Sequence, residues 1–403
     1  MNYAIFYGNM DFVKNSLIID CAVSKVKSGY INKSAPNMAY VLGAFLFSLV
    51  ISLFLVRHRR LRQAGVDSDL TGVQKYHATP VPRIGGIAIL LAMGLVCVIA
   101  WYRDPDIALK LLTVLACGLP VFLGGLCEDL FKNARVLVRL SLALVSGALV
   151  YGWLGAAVTR VDVIGVDTLL NIGLISFVFT IFTVAGAANS INIIDGYNGL
   201  ATVVAGMIFA GLAYVSFYLG DRLILVAAVG MLGALGGFLI WNYPRGLLFL
   251  GDGGAYFIGF MMGTLSVLLL SRHPQVSAWF PLLLCIYPIF ETLFSIYRKK
   301  FVRKTSPGAP DGVHLHMLIY KRLVRWAVGS SEAHLITERN AMTSPYLWIL
   351  SSMAVIPAVL FWQYQTLLII STALFSISYV LLYRNLVLFR MPKWLIVQKK
   401  SRK

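Results

Sequence analysis

A chain of 403 residues that is 59% hydrophobic and only 13% charged carries about half the charge of an ordinary soluble domain. This excludes a soluble enzyme and predicts an all-α polytopic membrane protein. The formal net charge of +18 would suit a nucleic-acid binder, but its placement along the chain, given below, excludes that class. The five cysteines (Cys21, Cys97, Cys117, Cys127 and Cys285) form no CxxC or Cys/His grouping, so neither a disulfide framework nor a zinc site is expected.

Residues 1–37 are a leader in which Asp11, Lys14 and Asp20 interrupt the apolar stretches. It lacks the basic start, continuous apolar core and cleavage site of a signal peptide, and no chemistry is assigned to it. Beyond it, apolar runs of about 17 to 22 residues recur, each long enough to cross the hydrocarbon core as a helix. They predict eleven spans, at 38–56, 86–102, 109–126, 137–158, 169–188, 199–219, 222–241, 254–270, 278–297, 344–361 and 364–383. All lie in one membrane domain, 38–390, which a basic tail, 391–403, follows. Lys and Arg divide 26 to 5 between the two alternating sets of connections, placing the amino terminus outside and the carboxyl terminus in the cytosol. The positive charge is thus a topology signal facing anionic lipid, and nucleic acid is not a partner.

Most acids read as surface charge, including Asp104, Asp106, Asp162, Asp167 and Asp221 in the short outer loops. Four do not. Glu128 and Asp129 end the third span after Gly124-Gly125, Asp195 follows the fifth in the Asn-rich run from Asn189 to Ala201, and Asp252 follows the seventh in Gly251-Asp252-Gly253-Gly254. Polar groups at membrane depth are costly and by default mark function. Carboxylates gathered at one depth, each beside a glycine turn, suit a hard divalent cation such as magnesium, which takes oxygen ligands and shares them with substrate phosphates.

Basic groups that can meet phosphate lie on the same side. Lys75, His77 and Arg83 sit in a loop stiffened by Pro80, Pro82, Gly85 and Gly86, and His314 and His316 stand two apart after Pro310-Asp311-Gly312. Glu291 lies inside the ninth span, three residues after a kinking Pro288, and is expected to orient a basic residue rather than to relay a proton.

Together these motifs resemble the polyprenyl-phosphate N-acetylhexosamine-1-phosphate transferases. The likeness covers about residues 39–390: residues 75–86, Glu128-Asp129, residues 189–201, Gly251-Asp252-Gly253 and His314-Leu315-His316 follow the family's motif order. The resemblance implies attack by a polyprenyl phosphate oxygen on the β-phosphorus of a UDP-sugar, giving polyprenyl-diphosphate-sugar and UMP, in a cleft on the cytosolic face. It implies Mg2+ as cofactor, with Mn2+ as an alternative, held by Asp252 with Asn192 and Asp195. Glu128, Asp129, Asp195 and Asp252 would be the catalytic set, Asp129 with Glu128 lying beside the lipid phosphate. Lys75, His77, Arg83, Asn189, Asn192, Asn198, His314 and His316 would bind substrate, and Asn242 and Phe249 align with residues near the uracil.

Three departures bear on substrate. Glu128 stands where the family usually has aspartate, Met317 where it usually has a further histidine, and Asn198 where many relatives have aspartate, the peptidoglycan branch among them. The form Ile194-Asp195-Gly196-Tyr197-Asn198-Gly199-Leu200 is similar to the branch that starts O-antigen synthesis in the bacterial inner membrane. The expected partners are undecaprenyl phosphate, a UDP-N-acetylhexosamine and the bilayer, with a homodimer as one open assembly. A muramoyl-pentapeptide transferase and an ion-coupled secondary transporter are the alternatives; the latter is disfavoured because no repeat is found and the acids gather at one face.

Overall fold

The computed structural model describes residues 37–58, 66–67, 80–131, 136–306, 311–324 and 332–397. Helix α1 (Asn37–Arg57) is followed by a two-residue antiparallel ladder of β1 (Val66–Asp67) with β2 (Val81–Pro82). Then come α2 (Gly86–Arg103), α3 (Pro105–Phe131), α4 (Val136–Leu154), the short α5 (Val166–Leu170), α6 (Gly173–Ile194), α7 (Leu200–Leu219), α8 (Arg222–Asn242) and α9 (Gly251–Arg272). The last third holds α10 (Trp279–Leu284), α11 (Ile286–Tyr297), a π turn (Arg298–Val302), α12 (Leu315–Arg322), α13 (Ala333–Ala341), α14 (Ser344–Leu360) and α15 (Gln365–Val387).

Ten helical stretches among the described residues are long and apolar enough to cross a bilayer, with α13 and α14 counted as one run. The expected ninth span, 278–297, is divided at Cys285 into α10 and α11. Pro288 has no N–H to give Leu284, and its ring crowds that carbonyl, so the helix stops one residue later and restarts. Helix α3 runs five residues past its predicted end and carries Glu128 and Asp129 in its last turns, not beyond them.

Helix α9 is the axis of the bundle. Every residue from Gly251 to Leu269 is buried, on all faces, among α2, α3, α6, α7 and their neighbours. Small residues make that possible: a Cβ on Gly125 of α3 would stand 2.5 Å from the Gly253 nitrogen and 2.6 Å from the Asp252 carbonyl carbon, and one on Gly263 2.8 Å from the Ala187 Cβ. With lipid as apolar as leucine, close backbone approach and van der Waals contact supply helix association.

Asp106 is exposed, as expected, but the other four outer acids are not the solvated charges that the sequence suggests. The half-buried Asp162 carboxylate accepts from Arg160, from Ser277 Oγ at 3.2 Å and from the Ala278 N–H at 2.6 Å, while its own carbonyl accepts from Gln365. Asp221 caps α8 through the Ile224 N–H at 3.0 Å and meets both Arg272 and His273. Burial alone would raise its pKa, but these donors together hold it below the ordinary carboxylate value. Asp167 accepts from the Val161 N–H, and Asp104 pairs with Arg222. Short loops leave many backbone N–H groups without helix partners, and these carboxylates satisfy them.

Candidate functional site

Asp252 lies in the first turn of α9, where the helix dipole favours an anion. The first N–H groups of a helix have no partner within it. Here Asp129 supplies one from another helix: its Oδ1 accepts from the Asp252 N–H and its Oδ2 from the Gly253 N–H, both at 2.9 Å. The contact requires Gly251 in a left-handed conformation at φ +75°, which only glycine adopts cheaply. The segment before α2 is strapped alongside by three backbone bonds of 2.9 Å: Phe249 N to Pro82 O, Gly85 N to Phe249 O and Gly86 N to Leu250 O. The strap delivers Arg83, whose Nη2 donates to Asp252 Oδ1 at 2.9 Å and whose Nε lies 3.7 Å from Asp129 Oδ1. Arg139, from the start of α4, holds Asp252 Oδ2.

Asp195 ends α6 as its C-cap and feels both Arg83 and Asp252. Its carboxylate makes no hydrogen bond or ion pair among the described residues. Burial foremost, with the neighbouring Asp252 charge adding to it and Arg83 opposing, lifts its pKa to about 7. Asn192, one turn back, bonds the Tyr256 hydroxyl on α9. Half-buried Glu128 lies within electrostatic reach of the same tyrosine.

The other wall is the histidine segment. The His316 ring lies edge-on to Tyr197 at 5.5 Å and stacks on His314 at 5.2 Å, so the segment abuts the turn that carries Asp195. His314 Nδ1 is 2.9 Å from Glu291 Oε1, which also accepts from the Leu315 N–H at 3.1 Å; Glu291 Oε2 accepts from the Tyr379 hydroxyl of α15 at 2.6 Å. Glu291 therefore orients His314, as expected from sequence. Asp311, buried, takes Ser295 and Arg298, and these pairings outweigh burial to lower its pKa. His316 Nδ1 is buried with no hydrogen-bond partner among the described residues, and burial pulls the ring's pKa down to about 3. A neutral imidazole inside the wall is the result.

Glu291→Ala removes the acceptor of three donors and is expected to cost about 3–5 kcal/mol, against about 1 kcal/mol for Tyr379→Phe. Thermal midpoints of the purified variants would check this; midpoints equal to wild type in both would remove the network's structural role.

Of the residues singled out from sequence, the structure joins Asp129, Asp252 and Arg83 directly, puts Asp195 within electrostatic reach of Arg83 and Asp252, and packs His316, stacked on His314, against Tyr197. Lys75 and His77 lie outside the described residues. Asn189 is half-buried on α6, and Phe249 is engaged through its backbone in the strap. Asn198 and Asn242 are buried and tie turns together: Asn242 accepts from the Gly199 N–H at 2.6 Å and donates to Leu248 O, while the Asn198 side chain donates to Pro244 O and its backbone N–H donates to Asn340 Oδ1. Sequence reasoning missed Arg139, Asp311 and Tyr379. Only Asp311 carried a signal, as a lone acid beside glycine in the histidine motif.

Oxygen donors of the kind that a hard divalent cation takes are present. No group of three or more His, Cys, Asp or Glu spaced for a metal occurs among the described residues. Asp252, Asp195 and the Asn192 amide offer two carboxylates and a neutral oxygen, the sparse set with which magnesium binds when phosphates and water complete its shell. Asp195 lies within electrostatic reach of Asp252, and a cation between them would favour its ionised form.

The pattern of glycosyl transferase family 4 matches residues 111–270. The chain is 28% identical over 284 residues to an undecaprenyl-phosphate alpha-N-acetylglucosaminyl 1-phosphate transferase of Thermotoga maritima, covering 70% of this chain and 80% of that protein. It is 27% identical over 291 residues to a probable undecaprenyl-phosphate N-acetylglucosaminyl 1-phosphate transferase of Bacillus subtilis, covering 70% and 77%. A phospho-N-acetylmuramoyl-pentapeptide-transferase of Staphylococcus carnosus is 28% identical over 248 residues, 58% of this chain and 77% of that protein. With the matched pattern and these relatives, the chain is similar to the polyprenyl-phosphate N-acetylhexosamine-1-phosphate transferases of glycosyl transferase family 4.

Proposed function

We propose that the chain transfers a HexNAc-1-phosphate from a UDP-N-acetylhexosamine to undecaprenyl phosphate at the cytosolic face of the bacterial inner membrane, starting a lipid-linked glycan of the O-antigen type. The observation that carries this reading is the contact of Arg83 with Asp252, with Asp195 in electrostatic reach of both and the His314–His316 pair packed on Tyr197 in the turn after Asp195. A lipid phosphate oxygen attacks the β-phosphorus, the α–β anhydride bond breaks, and UMP leaves with the bridging oxygen. Such a transfer needs positioning and charge neutralisation more than covalent help. Asp252, Asp195 and Asn192 would hold magnesium, which would supply Lewis acidity at the diphosphate. Arg83 holds phosphate beside them, and the histidine segment, fixed by Glu291, closes the opposite wall. Asp129 works through Asp252 by anchoring the first turn of α9.

Between sugars, Asn198 says less than its position in the motif suggested. Its amide donates to Pro244 O, a bond an aspartate lacks, so it is explained by the turn. What favours a simple HexNAc over the muramoyl pentapeptide is higher identity at near-equal cover: 28% and 27% over 70% of this chain for the N-acetylglucosaminyl relatives, against 24% over 68% for a phospho-N-acetylmuramoyl-pentapeptide-transferase of Leuconostoc citreum.

The test is purified protein with undecaprenyl phosphate, Mg2+ and, in parallel, UDP-GlcNAc, UDP-N-acetylfucosamine, UDP-N-acetylquinovosamine and UDP-MurNAc-pentapeptide. UMP release is expected with at least one UDP-HexNAc and not with the pentapeptide. Release with the pentapeptide alone would move the assignment to the peptidoglycan branch, and release with none would sink it.

A further inference from the structure

Arg139 belongs to none of the sequence motifs. Its Nη1 nevertheless binds one oxygen of Asp252 while Arg83 Nη2 binds the other, so the whole carboxylate is held by two guanidiniums. Arg139 is also mostly buried, at 17% side-chain exposure, and its Nε is buried with no hydrogen-bond partner among the described residues. Guanidinium is a rigid fork of five donors that matches oxyanions two bonds at a time. A fork that spends one arm on a carboxylate and leaves Nε unspent has donor capacity for a second oxyanion. A divalent cation and these guanidiniums also compete for the same two Asp252 oxygens, where their positive charges repel one another.

We propose that Arg139 and Arg83 are partner-switching positioning residues: they neutralise Asp252 in the ligand-free protein, then transfer to the diphosphate oxygens of the nucleotide sugar when a divalent cation takes Asp252. This rests on the transferase reading above. Charge balances through the exchange, because two positive charges leave Asp252 as two arrive, and the diphosphate gains the pair that left. Metal and nucleotide then load as a unit, and metal alone binds poorly because it must displace two guanidiniums without giving them a new anion. The arrangement also keeps the acids of the cleft neutralised between turnovers.

The experiment follows Mn2+ binding to the purified full-length chain through loss of the free-ion paramagnetic resonance signal, with and without UDP. Wild type is expected to bind Mn2+ at least about tenfold tighter with UDP present, the size of one exchanged charged hydrogen bond. Arg139→Gln should bind Mn2+ alone about tenfold tighter than wild type, because the competitor is gone, and should lose the gain from UDP. Arg139→Lys keeps the charge and drops the fork; it should bind Mn2+ alone as weakly as wild type while gaining less from UDP, and it guards against poor folding of the glutamine variant. Unchanged Mn2+ affinity in Arg139→Gln, with the UDP gain intact, overturns the exchange. Mn2+ binding that survives Asp252→Asn overturns the metal assignment and the exchange with it. The expected Mn2+ pattern without UMP release from any UDP-sugar would count against the transferase reading alone.

Discussion

Asp252→Asn is expected to lower UMP release by about a thousandfold, with excess Mg2+ restoring little of it. The substitution is nearly isosteric, so the first turn of α9 keeps its bonds to Asp129, which come from backbone N–H groups and not from the Asp252 side chain. What is lost is the anion that Arg83 and Arg139 now face and that a divalent cation would take. Asp195→Asn should act in the same direction and less strongly, because Asp195 is a C-cap without ion pairs of its own among the described residues. Progress curves of UMP release, read beside thermal midpoints, separate chemistry from folding. Retention of more than about a tenth of wild-type turnover in Asp252→Asn, from a folded protein, would remove Asp252 from the centre of the mechanism.

The second large effect is structural. Gly125→Ala adds a single methyl group, 2.5 Å from the Gly253 nitrogen and 2.6 Å from the Asp252 carbonyl carbon. Both are backbone atoms of a helix buried on every side, so neither can swing aside. Helices α3 and α9 would have to part at the turn where Asp129 accepts its two N–H bonds, and those bonds would lengthen together. A loss of about 3 kcal/mol, at the upper end of overpacking costs, is expected, with most of the activity lost as well. Gly94→Ala is the control, since nothing lies within 4 Å of its added Cβ, and its effect should stay within about 0.5 kcal/mol. Equal thermal midpoints for the two variants would mean that the glycine contact does not set the α3–α9 distance.

These two predictions bracket what the sequence made legible. The fold class followed from apolar run length, and the acids of the cleft from their rarity in such a chain. Pro288 forecast a kink, and the structure has a full break at Cys285. What stayed hidden was partner identity. Arg139 reads as one more cytosolic charge because the positive-inside pattern accounts for every arginine on that face. Asn198 reads as a ligand residue because a polar side chain in a glycine turn looks the same whether it meets a nucleotide or the carbonyl of Pro244, 46 residues away. Asp162 and Asp221 read as solvated because sequence does not show which backbone N–H groups a short loop strands. Tyr379, on α15, had no local signal, since its partner Glu291 lies 88 positions earlier.

Helix α9 has a consequence for how the membrane can influence the protein. A span that faces lipid feels bilayer thickness, tail saturation and headgroup composition directly through its own surface. From Gly251 to Leu269, α9 has no such surface, because the chain itself is its solvent. Changes in the surrounding lipid therefore reach Asp252 only as movements of the neighbouring helices, passed on through α2 at Gly86, α3 at Gly125, α6 at Ala187 and α4 through Arg139. The carboxylate at the heart of the cleft is insulated from the membrane in which it works.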